Sequence, residues 1–255
     1  MPEGDTIFRA AQTLHRALAG RVVERFESVL PQLMRVDHDH PVAGRTVDAV
    51  SARGKHLLMT FSGDLVLHTH LRMNGAWHLY RPGVRWWKPS RDMRVIVSTA
   101  HVVAVAFNIT VAEFLSAGDL RRHRDLRALG PDLLDPAFDP GEANRRMRAN
   151  PRTAIGDALL NQRMMAGIGN VLKSEILFVT GIDPFSPVGS LSDEALDRIV
   201  SAAHDLIGVN ARTAARGPFA TYERRTTRSL DPSVKLWVYG RGGLPCRKCG
   251  TPIQS

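Results

Sequence analysis

The amino terminus, Met1-Pro2-Glu3, sets a proline beside a carboxylate. Removal of Met1, which a small second residue favours, would leave Pro2 as a secondary amine at the chain end. The pKa of an α-amine is ordinarily about 8, well below that of lysine, so more of it is unprotonated and nucleophilic near neutral pH. Attack on a sugar aldehyde would give an iminium ion, and Glu3 could move protons at the neighbouring carbon. Many cytosolic proteins also begin Met-Pro, so this hypothesis depends on the rest of the chain.

Two short motifs in the first half of the chain could contact a nucleic acid. Lys55 lies in a turn ahead of a predicted strand, where its ammonium group could meet a phosphate. The sequence Arg72-Met73-Asn74 follows a later strand, and an unbranched Met73 at an exposed turn could fill the gap left by a displaced base. The alternative is that Met73 packs in the core, and the sequence leaves both open.

His68 and His70 are two residues apart and share one face of a predicted strand. Such a pair could bind a metal, but no carboxylate occurs at matching spacing. We therefore predict structural or DNA-facing roles for both histidines.

Two glycines precede a helical pattern in the second half of the chain, in Gly167-Ile168-Gly169-Asn170. Glycines at a helix start allow backbone amides to converge on an anion, and the positive end of the helix dipole favours binding there. Asn170 could add a side-chain donor to the same phosphate. A plain tight turn between two helices is the alternative explanation.

The chain has two cysteines, Cys246 and Cys249. In a reducing compartment their C-x-x-C spacing indicates a metal or redox pair, and no βαβ pattern surrounds them to support the redox role. The spacing is that of half a tetrahedral zinc site, which needs four ligands. We expect a structural zinc hairpin that is either cut short or has lost its metal, and the sequence does not separate the two.

The formal net charge of +9 over 255 residues favours a polyanionic partner such as nucleic acid or a membrane surface. No apolar run approaches the length of a membrane-spanning helix, and no signal peptide precedes the first helix. We expect a cytoplasmic, nucleoid-associated protein. Its arginines concentrate in the helical half and near the cysteines, as a surface that follows a phosphate backbone would require.

Patterning predicts the elements that position these residues. Apolar residues at helical spacing follow Pro2 and end at Gly20, which indicates a leading helix. From residue 21 to about residue 110, short alternating runs indicate a β-sandwich, with a short helix expected at residues 111–116. Residues 129–136 are rich in glycine, proline and aspartate and predict a domain boundary. Beyond it the pattern is helical, with Asn150-Pro151 predicted as a helix cap followed by proline at the first helical position. A later helical pattern is predicted to end at Gly181, and Ser192 is predicted to cap the helix after it.

Together these motifs resemble the formamidopyrimidine-DNA glycosylase and endonuclease VIII family of bifunctional base-excision repair enzymes. The similarity runs along nearly the whole chain, with the motifs in the family's order. It is carried by Pro2-Glu3-Gly4, Arg53-Gly54-Lys55-His56-Leu57-Leu58, His70-Leu71-Arg72-Met73-Asn74-Gly75, Leu129-Gly130-Pro131-Asp132, Asn161-Gln162 with Ala166-Gly167-Ile168-Gly169-Asn170-Val171, and Val238-Tyr239-Gly240-Arg241 with Cys246 and Cys249.

The resemblance implies an α+β fold of two domains with DNA bound between them. Residues 1–128 would form a catalytic β-sandwich with a leading helix. Residues 129–230 would form a helix-two-turn-helix domain that binds DNA. Residues 231–255 would form a zinc-finger-like β-hairpin, truncated after its first cysteine pair.

The same resemblance implies a role for each motif. Pro2 would be the Schiff-base nucleophile, Glu3 the acid and base, Lys55 a phosphate contact near the lesion, and Met73 the wedge. The other residues expected to bind DNA are Arg72, Gly167, Gly169, Asn170 and Arg241, and the expected zinc ligands are Cys246 and Cys249.

The start Pro2-Glu3-Gly4 is similar to the endonuclease VIII branch, which implies removal of oxidised pyrimidines and strand cleavage by elimination. Asp5-Thr6 stands where that branch usually has proline-glutamate. One alternative is the same chemistry on oxidised purines, and another is a protein that binds lesion or abasic DNA with little or no turnover. RNA or ribosome binding is a third, but it leaves Pro2-Glu3 unexplained. We expect a monomer that acts on double- or single-stranded damaged DNA.

Overall fold

A computed structural model of the chain describes residues 2–212 and 223–254, which fall into two compact units. The first unit comprises residues 2–127, and the second comprises residues 128–212 and 223–254. Met1, whose removal the proposed chemistry requires, and the segment 213–222 of the predicted helical domain lie outside the described residues. None of the described helices combines the length and apolar character needed to cross a membrane.

The first unit is an antiparallel β-sandwich with a leading helix, as predicted. Its sheets are ordered β1-β6-β7-β5 and β2-β3-β4-β8. The strands are β1 (Arg25–Ser28), β2 (Val47–Arg53), β3 (His56–Phe61), β4 (Leu65–His70), β5 (Ala76–Tyr80), β6 (Met93–Ser98), β7 (Val103–Phe107) and β8 (Val111–Leu115). The helices are α1 (Gly4–Leu18), α2 (Pro31–Asp39), α3 (Ala117–Arg122) and α4 (Arg124–Arg127).

Helix α1 packs along the second sheet through one apolar stripe. Ile7, Leu14 and Leu18 are buried against strands β2 and β3. The helix runs antiparallel to β2, because the Gly20 amide after its end donates to the carbonyl of Val47 at 2.8 Å. Its 15 residues span about 21 Å, close to the length of β2, so its first turn lies near the end of β2. The packing therefore carries the amino terminus toward the β2–β3 hairpin.

One end of the sandwich carries three of the connections between strands. Arg53 pairs with His56 across the β2–β3 hairpin, His56 pairs with His70, and His70 pairs with Val111. In the other sheet, Phe107 at the end of β7 pairs with Ala76 and Met93 at the starts of β5 and β6. The turns that cross from β4 to β5 and from β7 to β8 therefore emerge at the same end as the hairpin that carries Lys55.

The second unit is helical and has its own apolar core. Its helices are α5 (Pro140–Arg148), α6 (Ile155–Leu160), α7 (Asn170–Thr180) and α8 (Asp193–Arg212). Helix α7 ends at Gly181 in the left-handed conformation (φ +69°), and Ser192 caps α8 by accepting a bond from the Ala195 amide at 3.2 Å. Both helix ends agree with the sequence pattern.

Four elements differ from the sequence prediction. The helix predicted at residues 111–116 is strand β8, because pairing with β4 completes the sheet. Strand β5 and helix α2 were not predicted, and α2 buries only Leu33, which makes its apolar periodicity weak. The predicted cap at Asn150-Pro151 is also wrong, since the Pro151 carbonyl accepts from the Gly189 amide and α6 begins only at Ile155.

Candidate active site

The predicted nucleophile and its neighbouring carboxylate lie at the start of α1. Pro2 is half-buried, and Glu3, the residue before the first helical turn, has no exposed surface. The Glu3 carbonyl accepts from the Ile7 amide at 3.0 Å, so the first hydrogen bond of the helix fixes the backbone beside Pro2. Asp5 is also fully buried, and it accepts from its neighbour's amide, that of Thr6, at 2.7 Å. The proline whose amine the loss of Met1 would expose therefore lies beside a carboxylate removed from bulk water.

Lys55 occupies the two-residue turn of the β2–β3 hairpin, after Gly54 with φ +57°. That positive φ is a conformation that glycine adopts at little cost. The hairpin lies at the end of β2 toward which the first turn of α1 points, so the fold brings Pro2, Glu3 and Lys55 to one region of the first unit.

Met73 lies at the tip of the turn from β4 to β5, and 62% of its surface is exposed. The core alternative for Met73 is therefore wrong. The turn is fixed by the Gly75 amide, which donates to the Leu71 carbonyl at 2.8 Å. A Cβ at Gly75 would lie 2.5 Å from that carbonyl oxygen, so only glycine fits. Arg72 has φ +51°, and its amide donates to Nδ1 of His70 at 3.0 Å.

A partly buried polar network, with His68 at its centre, lies next to this turn. Nδ1 of His56 lies 2.8 Å from Nε2 of His68, and Glu113 Oε1 lies 2.9 Å from His68 Nδ1 and 3.0 Å from His123 Nε2. Glu113 reaches His68 because the two are cross-strand partners on β8 and β4. Sequence spacing did not reveal this carboxylate, since it depends on strand register.

His68, Glu113 and His123 are close enough to hold a metal ion. Without a metal, however, every ring nitrogen of the two histidines already has a matching hydrogen-bond donor or acceptor. His123 Nδ1 accepts from the Leu126 amide, so its Nε2 carries the proton that Glu113 accepts. His68 likewise donates from Nδ1 to Glu113 and accepts from His56 at Nε2. The pattern assigns one proton to each ring and supports the structural role predicted for His68.

Burial keeps two histidines of this region neutral. Desolvation first, and then the neighbouring histidines, lower the pKa of His56 from 6.5 to about 3. Desolvation, with Arg72, His68 and Lys55, lowers the pKa of His70 to about 4. The hydrogen bond from the Arg72 amide to His70 therefore persists at any physiological pH.

We expect acid to destabilise the first unit from about pH 6.5 downward. Below that pH, His56 and His70 are protonated in the unfolded chain but remain neutral in the folded state. Each histidine therefore lowers the free energy of unfolding by up to about 1.4 kcal/mol per pH unit, and the half-buried His70 lowers it by less. Urea unfolding followed between about pH 7 and pH 5 should show this slope. Replacing His56 with Gln should reduce the slope to the part that His70 contributes, and replacing exposed His101 should leave the slope unchanged. An unchanged slope in His56→Gln would contradict the assignment.

In the second unit, the turn before α7 is built by Gln162. Its amide nitrogen donates to the carbonyls of Leu160 and Ile168, and its oxygen accepts from the Gly167 amide at 3.0 Å. Gly167 has φ +112°, which favours glycine, but its amide is bonded within the protein rather than directed at an anion. Asn170 is exposed at the first position of α7, where its side chain can reach a ligand.

Glu175 is a residue that sequence reasoning missed. It is fully buried on α7, and its two carboxylate oxygens accept four hydrogen bonds. The donors are the Thr226 hydroxyl and the amides of Trp237, Val238 and Tyr239, with amide distances of 2.8 to 2.9 Å. Glu175 therefore fixes the segment that leads into the cysteine hairpin against the helix that begins with Asn170.

The hairpin has the backbone of a metal knuckle. The Cys246 amide donates to the Thr251 carbonyl at 2.8 Å, and the Lys248 amide lies 3.4 Å from Cys246 Sγ. Hydrogen bonds from Thr251 lower the pKa of the exposed Cys249 thiol. Within residues 2–212 and 223–254 no third ligand lies near these two sulfurs, so the described residues do not complete a four-ligand zinc site.

Three arginines of the second unit, Arg146, Arg148 and Arg241, form hydrogen bonds within it. Arg241 donates to the carbonyls of Trp237 and Pro245, which braces the hairpin. Arg146 pairs with Glu142 at 2.6 Å, and Arg148 pairs with Asp193 at 2.7 Å. The ion pairs of Arg146 and Arg148 therefore offset part of the positive charge of this unit, while Arg241 keeps its charge and its DNA contact stays a prediction.

Comparisons with known proteins agree with this architecture. Sequence models of the Formamidopyrimidine-DNA glycosylase N-terminal domain and H2TH domain match residues 1–129 and 129–217. The chain is 43% identical to "Probable endonuclease 8 2" of Streptomyces coelicolor, over all of this chain and 87% of that protein. It is 39% identical to "DNA-(apurinic or apyrimidinic site) lyase Nei2" of Mycolicibacterium smegmatis, over all of this chain and 93% of the relative.

The fold is also similar to that of a protein whose structure has been solved in complex with DNA. Lactococcus lactis Fpg bound to DNA with an abasic site superposes with a TM-score of 0.83, at 20% identity over 99% of this chain and 93% of that one.

Proposed function

The chain belongs to the formamidopyrimidine-DNA glycosylase and endonuclease VIII family, and we propose that it is a DNA glycosylase with lyase activity at abasic sites in base-excision repair. In this proposal it removes oxidised pyrimidines, because its relatives include proteins named endonuclease 8 and its start is Pro2-Glu3-Gly4. Pro2 attacks the anomeric carbon of a flipped nucleotide, the base leaves, and elimination from the resulting iminium ion breaks the strand.

The observation that supports this proposal best is the convergence at one end of the first unit. Pro2 and the buried Glu3 directly precede α1, whose first turn points toward the hairpin that carries Lys55. Met73 is exposed on the turn after β4 at the same end. A nucleophile, a proton carrier, a cation for phosphate and an apolar wedge are the parts that flipping and cleaving a nucleotide require. The exposed Asn170 on the second unit supplies a further proposed contact to the DNA backbone.

Borohydride trapping tests the proposal directly. Reduction of the iminium ion should join the protein covalently to DNA that contains an abasic site or an oxidised pyrimidine such as thymine glycol. Faster trapping and excision on thymine glycol than on 8-oxoguanine would support the pyrimidine assignment, and the reverse order would move the proposal to oxidised purines.

A second candidate is a lesion-binding protein with little turnover. It is favoured by the hairpin, where Cys246 and Cys249 supply two of the four ligands that a structural zinc site requires. Specific binding to abasic DNA with neither trapping nor strand cleavage would establish this candidate.

Replacing Met73 with Ala should separate flipping from chemistry. We expect excision from duplex DNA to fall about tenfold to a hundredfold, because the wedge no longer offsets the few kcal/mol that unstacking costs. Stability should change little, since the side chain is 62% exposed. Single-turnover excision and a melting curve measure the two effects. Unchanged duplex excision would contradict the wedge role, and Met34→Ala, at an exposed methionine of α2, is a matched control.

A further inference from the structure

A polar pocket of about 530 Å³ opens at the end of the sandwich that carries Met73. It is lined by Asn74, Lys88, Arg94, Asn108 and Thr110. The proposed chemistry uses none of these residues. Two cations, two amides and a hydroxyl around one space form a site for an anion that also offers hydrogen-bonding groups.

The charges of this pocket are not neutralised within the first unit. Lys88 forms no ion pair among the residues that the structure describes, and the described lining residues include no carboxylate. Arg94 Nη1 donates to the carbonyls of Arg91 at 2.9 Å and Met93 at 2.8 Å, which fixes its guanidinium without cancelling its charge. Two like charges face the same space, so a bound anion would relieve their repulsion.

Strand order places this pocket on the far side of the wedge from Lys55. The sheet runs β2-β3-β4-β8, and His56, His70 and Val111 stand level across it. The Lys55 turn joins β2 to β3, the Met73 turn leaves β4, and Thr110 of the pocket directly precedes β8. Adjacent strands are about 4.8 Å apart, so β3 and β8 are separated by about 10 Å with the root of the wedge between them.

We propose that this pocket binds a backbone phosphate of the DNA strand opposite the lesion. The inference rests on the proposed function: when Lys55 holds the lesion strand and Met73 fills the vacated gap, the groups beyond Met73 face the other strand. Lys88 and Arg94 then bind the phosphate, while Asn74 and Asn108 are placed for hydrogen bonds to the adjoining nucleotide. The site makes affinity depend on a duplex around the lesion.

The test measures affinity for duplexes that carry a stable abasic-site analogue. One duplex is fully charged, a second has neutral methylphosphonates in the opposite strand around the gap, and a third has them in the lesion strand. The proteins are wild type, Lys88→Gln, Lys88→Arg as a charge-preserving variant, and Arg91→Gln as a matched control, because Arg91 is exposed on the same loop but does not line the pocket.

We expect Lys88→Gln to weaken binding to the charged duplex about tenfold, as loss of one charge-assisted contact does. On the duplex with a neutral opposite strand, the affinity of Lys88→Gln should be within about twofold of the wild-type affinity. Lys88→Arg should bind all three duplexes with nearly the wild-type affinity. A tenfold loss that persists on that duplex, or that vanishes only when the lesion strand is neutral, would overturn the proposal. No loss on the charged duplex, or an equal loss in Arg91→Gln, would also overturn it.

Trapping of the wild-type protein is measured on the charged duplex in parallel. If borohydride does not trap the wild-type protein on DNA, the proposed function is refuted, but the affinity of Lys88→Gln for the three duplexes can still be compared. Normal trapping without that strand dependence would refute the pocket alone.

Discussion

Replacing Glu3 with Gln is expected to lower base excision and strand cleavage by about a hundredfold to ten-thousandfold, the range that loss of a positioned general acid and base produces. Gln keeps the volume of this fully buried side chain but cannot transfer a proton. Replacing Pro2 with Gly should reduce borohydride trapping by a comparable factor, although a primary amine at the terminus retains some reactivity. Single-turnover excision and trapping on abasic DNA measure both variants.

The matched control for these variants is Gln12→Ala, at an exposed position of the same helix. It should match the wild type in trapping and in melting temperature. Each active-site variant should keep its affinity for an abasic-site analogue, which separates lost chemistry from lost folding. Efficient trapping by either Pro2→Gly or Glu3→Gln would contradict the assigned roles.

Replacing Glu175 with Gln is expected to destabilise the second unit by about 3–5 kcal/mol. The carboxylate of Glu175 accepts hydrogen bonds from four donors, two at each oxygen. In Gln one of these oxygens becomes an amide nitrogen, which cannot accept, and each buried donor left without an acceptor costs about 1–3 kcal/mol. Because these donors hold residues 237–239 to α7, the change should also loosen the hairpin. Urea unfolding gives the free energy, and hydrogen exchange at the amides of Trp237, Val238 and Tyr239 reports the local release.

Glu142→Gln is the matched control for Glu175. Its carboxylate pairs with Arg145 and Arg146 at the surface of α5, where solvent screens such pairs and they contribute little to stability. Equal destabilisation by the two substitutions, or unchanged exchange at residues 237–239 in Glu175→Gln, would show that the buried carboxylate does not hold the hairpin.

Local patterns in the sequence predicted the elements whose stability is largely local. The apolar stripe of α1, the end of α7 at Gly181 and the cap of α8 at Ser192 follow from helical spacing and capping chemistry. Strand β8 was predicted as a helix because its five residues gain their strand form from pairing with β4. Helix α2, with Leu33 as its one buried residue, carries too little periodicity to be recognised.

The same distinction applies to the site. Pro2, Lys55 and Met73 could be proposed because each lies in a short motif that has its own chemical meaning. Glu113 and Glu175 could not, since the partners of each are brought to it by strand register or by a segment about 50 to 60 residues away in the sequence. Lys88 and Arg94 were missed for the same reason, because only the fold sets them around one pocket next to Asn74.

The location of the covalent adduct tests the proposed chemistry most directly. The wild-type protein is reduced with borohydride on abasic DNA, digested with nuclease and trypsin, and mapped by mass spectrometry. We predict that the reduced sugar remnant lies on the amine of Pro2 in the amino-terminal peptide 2–9, with Met1 absent. An adduct on Lys55 or another lysine, or no adduct from a protein whose Pro2 is free, would contradict the assignment of Pro2 as the nucleophile.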